Sequence, residues 1–72
     1  MRNEFTAIIV PAEEGGYWAY CPEVPPANGQ GETMEEAEAD LASAITFVLE
    51  YWRDEAARKA EPAATRRMVV VG

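Results

Sequence analysis

Apolar and polar positions alternate with two different periods along this chain. In Phe5 to Val10 (FTAIIV), Phe5, Ala7 and Ile9 fall on one side and Thr6, Ile8 and Val10 on the other. β-branched and aromatic residues on a period of two predict a strand. Because both sides are largely apolar, the expected place is the sheet interior, covered on both faces. Pro11 cannot donate into a ladder and is expected to end the strand. Glu13-Glu14-Gly15-Gly16 reads as a turn, and Tyr17 to Cys21 (YWAYC) as a second strand completing an antiparallel hairpin. Pro22 to Pro26 is too proline-rich for strand or helix. Ala27 to Gly31 (ANGQG) is a weak third strand, since two glycines count against it.

The period then changes. Met34, Ala37, Leu41, Ile45, Val48 and Trp52 recur at steps of three and four, the spacing of an apolar helical stripe. Thr33 followed by Glu36 is the signature of a capping box. Glu32, Glu35, Glu36, Glu38 and Asp40 crowd the predicted start, and Arg53, Arg58 and Lys59 lie near the end, as the helix dipole favours. The helix is expected from about Met34 to about Ala60, ahead of Pro62. Arg67 to Val71 (RMVVV) predicts a short closing strand, buried if it forms beside the first. The expected fold is α+β in two layers, β-β-β-α-β, with one long helix on a three- to four-stranded mixed sheet. Residues 1–72 are expected to make a single domain.

Composition narrows the function. A chain of 72 residues buries only about 60% of its unfolded surface, so a lone monomer is marginal and a homo-oligomer, dimer or tetramer, is expected. The net charge is −7, and residues 1 to 52 alone sum to −9, leaving +2 for residues 53 to 72. That sign opposes direct nucleic-acid binding and attraction to anionic membranes. The chain has no histidine and one cysteine. Ser-His and Cys-His catalysis, histidine-ligated metals and an internal disulfide are thereby excluded. With neither a basic-then-apolar leader nor a long apolar run, the expected location is the cytoplasm.

Two stretches carry a resemblance. Gly16-Tyr17-Trp18-Ala19-Tyr20-Cys21-Pro22-Glu23-Val24-Pro25 follows the pattern G-Y-x-A-x-x-P-x-[LV]-P, and Gln30 to Ala37 follows Q-G-x-T-x-E-E-A. At this separation they resemble the HicB-like antitoxin family. The resemblance implies a truncated ribonuclease H-like fold and a small RNA-cleaving toxin of the HicA type as partner. Full-length family members add a C-terminal DNA-binding segment. A chain ending at Gly72 is expected to be a short form without it. Pro26-Ala27 departs from the family's usual glycine, then often cysteine, before the third strand.

Each candidate site has a plain alternative. A ribonuclease H-like fold raises metal-dependent cleavage, which needs carboxylates converging from several elements. Phe5 to Val10 and Arg67 to Val71 contain none, so no catalytic residue, metal or cofactor is assigned and the protein is expected not to be an enzyme. Cys21 has no histidine to deprotonate it, and Glu23 would raise its pKa; it reads as a small buried residue. Phe47 and Tyr51 lie beside the core stripe and, with Trp52, make the second half of the helix too apolar for one small sheet to cover. They are the expected self-association face. The favoured function is a binding module that sequesters a basic toxin through Glu32, Glu35, Glu36, Glu38 and Asp40. The rivals are a stand-alone oligomeric protein of the same fold, a metal-dependent nuclease and a DNA-binding regulator.

Overall fold

The computed structural model describes residues 4–71. Its elements run β1 (Ile8–Pro11), β2 (Tyr17–Tyr20), β3 (Asn28–Gly31) and α1 (Met34–Arg58). The α+β architecture is as expected, with a sheet of order β1-β2-β3 that is antiparallel throughout. Gly15 and Gly16, both at positive φ, turn the chain between β1 and β2. Ile8 faces Tyr20, Val10 faces Trp18 and Pro11 faces Tyr17 across that hairpin.

Three expectations for the strands need correction. Arg67 to Val71 forms no strand; it is exposed, and the mixed, four-stranded alternative is absent among the described residues. As a result β1 lies at the sheet edge and is half-buried instead of covered on both faces. It also starts later than Phe5 and takes in Pro11, which an edge position tolerates because its missing N–H is not needed by a second neighbour.

The weak third strand is real, and its glycines are the reason the helix sits where it does. A Cβ on Gly29 would lie 2.4 Å from the Leu41 backbone nitrogen, and one on Gly31 would lie 2.5 Å from Glu36 Cβ. α1 therefore rests backbone to backbone on β3 and only lightly on β1. Thr33 caps it as expected. Its Oγ1 accepts from the Glu36 N–H, while Glu36 Oε1 accepts from the N–H groups of Thr33 and Glu32. The helix ends at Arg58 with Lys59 as cap, two residues before the expected Ala60.

The core is small: Ala19, Cys21, Val24, Ala27, Ala37, Leu41 and Ile45. Val24 comes from the proline-rich segment, and Ala27, expected to open the third strand, lies just ahead of β3. Two successive turns, closed by Val24 N–H to Cys21 O (3.1 Å) and Ala27 N–H to Val24 O (3.0 Å), place them in the core. Pro22 and Pro25 follow the first residue of each turn, where a fixed φ favours the bend. Along α1 burial stops at Ile45. Val48 is half-buried and Trp52 exposed, because 25 residues of helix outrun strands of four.

Candidate protein-docking surfaces

The acidic residues at the helix start do not form one surface. Glu32, Glu36 and Asp40 line an open groove together with Glu13 and Glu14 of the β1–β2 turn and with Tyr17 and Trp18 of β2. No lysine or arginine lines it. Two of these carboxylates also hold the fold: Glu36 completes the cap, and Asp40 Oδ2 accepts the outward N–H of Gln30 at 2.9 Å. That contact satisfies the free edge of β3 where α1 crosses it. Glu38 points to the opposite side of α1, into a slot with Phe5, Ala7, Ala42 and Ile45. Glu35 is exposed in the first turn and lines neither groove nor slot. The sequence reading missed Glu13 and Glu14, which had been assigned only to a turn. Their place after an edge strand, opposite the incoming helix, was the available signal.

The self-association candidates are all at the surface. Phe47 is 71% exposed, Tyr51 57% and Trp52 42%, all on the second half of α1. A further apolar face covers the sheet on the side away from α1. There Trp18 and Tyr20 stack with ring centroids 5.4 Å apart, opposite Val10 and Ile8. Alternation along β2 sends Ala19 and Cys21 inward and these two rings outward.

The one polar constellation of unusual chemistry is a clamp around Glu23. Its Oε2 accepts from the Thr6 hydroxyl at 2.7 Å, and its Oε1 accepts from the Thr6 N–H at 3.1 Å and from the Cys21 thiol at 3.2 Å. Donation from the Thr6 hydroxyl first, then from Cys21, holds the carboxyl down at about 2. Burial, reinforced by donation to Glu23, pushes the Cys21 thiol up. The thiol is thus protonated and buried, the opposite of an activated nucleophile. The clamp fastens the chain ahead of β1 to the first proline turn. Among the described residues no group of carboxylates, histidines or cysteines is placed to hold a metal ion. No helix there is long and apolar enough to cross a membrane.

A single helix laid on a three-stranded antiparallel sheet, with an acidic groove on one side and uncovered aromatics beyond it, defines a small α+β domain. The chain belongs to the HicB-like UPF0150 family. It is 62% identical to the UPF0150 protein ssl0738 of Synechocystis over 50 residues, 69% of each chain. A second UPF0150 protein of that organism, ssr1765, is 35% identical over 46 residues, covering 64% of this chain and 58% of the relative. Antitoxin HicB 1 of Photorhabdus laumondii is 41% identical over 51 residues, which are 69% of this chain but only 33% of the antitoxin. No family model matches the chain.

Proposed function

We propose that the domain is a non-catalytic binding module that sequesters a small basic protein, an RNA-cleaving toxin of the HicA type. The observation that carries this reading is the groove lined by Glu13, Glu14, Glu32, Glu36 and Asp40 with no cation among its walls. An RNA-binding protein must present positive charge to phosphates, and five carboxylates along one groove complement such a surface. The likeness to a protein named as a HicB antitoxin supports the same partner class. Inhibition is steric and electrostatic: the domain covers the surface that RNA would occupy. Glu35 and Glu38 stand outside the groove and play a lesser part. Self-association through Phe47, Tyr51 and Trp52 belongs to the same reading, because paired domains cover aromatics that one sheet cannot.

The test is inhibition of RNA cleavage by a HicA-type toxin encoded beside the gene. The intact chain should suppress cleavage, and suppression should weaken steeply between 50 and 200 mM salt, as expected for charge-steered association. Glu13→Lys with Glu14→Lys, which spares the cap and the β3 edge, should abolish it. Undiminished suppression by that variant would remove the groove from the mechanism.

A further inference from the structure

We infer that the C-terminal segment Arg66–Val71 docks as a fourth strand on the open edge of β1 in a second copy of this chain. The inference rests on the self-association proposed above and names the segment exchanged. Met68, Val69, Val70 and Val71 are a run of strand-forming residues left in solvent, with Val70 89% exposed. β1 is the complementary vacancy. It ends the sheet with one side of its backbone unpaired, a ready template for another strand.

The two faces of β1 fit such a strand. On the helix side, Phe5, Ala7 and Ile45 line the shallow slot that α1 leaves by leaning toward β3. On the other side lie Ile8 and Val10, beside the Trp18–Tyr20 stack. A strand added there meets apolar groups above and below. Met68 to Val71 is apolar on both faces, with no polar side to waste. Charge sets the orientation: Glu38 stands in the slot, and Arg66 and Arg67 immediately precede the apolar run.

The donor is assigned to a second copy because the chain alone is not compact. Its Cα radius of gyration is 15.6 Å, against about 11 Å for a compact chain of this length. The excess comes from the last turns of α1, which run past the core beyond Leu49, and from the tail that follows its far end; Phe47, Tyr51 and Trp52 are left uncovered on this half of the helix. A tail exchanged between copies brings the projecting helices together and covers both.

The experiment uses the full chain, a form ending at residue 65, and the variant Phe47→Glu with Tyr51→Glu. Mass is read by light scattering and β1 amide protection by hydrogen exchange, with helix content by circular dichroism confirming that each form folds. The exchange predicts that the full chain is an oligomer. Removing the tail should give a monomer in which protection at Ile8–Val10 falls at least tenfold. Loss of protection with no change of mass would mean that the tail pairs with its own β1, and would overturn the inference. So would an unchanged mass with unchanged protection. If, in addition, the aromatic variant is monomeric, self-association through the helix stands while strand exchange fails. Arg66→Glu with Arg67→Glu should weaken association about tenfold, and adding Glu38→Arg should restore it; absence of rescue removes the Glu38 contact.

Discussion

Gly29 lies so close beneath Leu41 that a Cβ on it would come within 2.4 Å of the Leu41 backbone nitrogen and 2.6 Å of the Ala37 carbonyl oxygen. Backbone cannot swing aside as a flexible side chain can, so Gly29→Ala must push α1 off β3. Overpacking of this kind costs about 3 kcal/mol, a large share of the roughly 5 kcal/mol available to a domain this small. The expected result is a drop in melting temperature of more than about 10 °C, read by circular dichroism. Gln30→Ala is the control, since the Gln30 side chain is exposed and Asp40 bonds its main-chain N–H.

The same two residues mark how far the sequence could be read. The capping box and the apolar stripe located α1 almost to the residue, because both are local: a cap needs only Thr33 and Glu36, and a stripe only its own spacing. β3 was weakly legible because Gly29 and Gly31 were weighed as poor strand formers, while their use is to admit a helix from elsewhere in the chain. Val24 looked like loop and Ala27 like the start of the third strand; two proline turns carry both into the core. Arg67 to Val71 has a strand's composition, but composition does not supply a neighbour to pair with, and within the single chain it finds none. The acids of the candidate groove were half legible. Glu32, Glu36 and Asp40 stood out as a helix start, but Glu13 and Glu14 join them only through the fold.

The Glu23 clamp gives a pH dependence of definite sign. Its folded-state carboxyl titrates near 2, below the ordinary 4.5, so ionised Glu23 favours the folded state. That contribution is complete above about pH 5 and is lost as pH falls through 4.5 toward 2. Glu23→Gln lacks it throughout. Urea titrations at pH 7, 4 and 2.5 should show wild type more stable at pH 7 and the gap between the two proteins closing with acid. A gap that stays constant would mean that Thr6 and Cys21 do not discriminate the ionised form. At the other end, the raised Cys21 thiol makes stability fall above about pH 9, where the unfolded chain gains thiolate first. Cys21→Ala should remove that alkaline loss.

The cap at Thr33 is worth a separate measurement. Thr33 Oγ1 accepts the Glu36 N–H at 3.1 Å, and Glu36 returns the bond to Thr33 and Glu32. Thr33→Ala should cost about 1 kcal/mol. Thr33→Ser should cost little, since the hydroxyl is kept. Denaturant midpoints at constant slope would separate this effect from a change in compactness. Because Glu36 also lines the acidic groove, Glu36→Gln tests cap and groove apart: Gln can still accept the two N–H bonds but removes one negative charge. Stability near wild type with weaker partner inhibition is the expected pair of outcomes.

Beyond Ile45 only Val48 and Leu49 still pack on the core, and the aromatics Phe47, Tyr51 and Trp52 must be covered by something else or left wet. Phe47 and Tyr51 stand one turn apart on one side of α1, at 71% and 57% exposure. Burying each contributes on the order of 2 kcal/mol; four such rings in a symmetric pair make on the order of 8 kcal/mol, which offsets the cost of joining two bodies but gives only a weak pair without further contacts. Phe47→Glu with Tyr51→Glu replaces that gain with four carboxylates facing one another. Light scattering should show the mass fall to that of a single 7.9 kDa chain, while the core, which ends at Ile45, keeps the helix signal near its wild-type value. A mass that does not change would place the contact between copies elsewhere and leave these rings to a different partner.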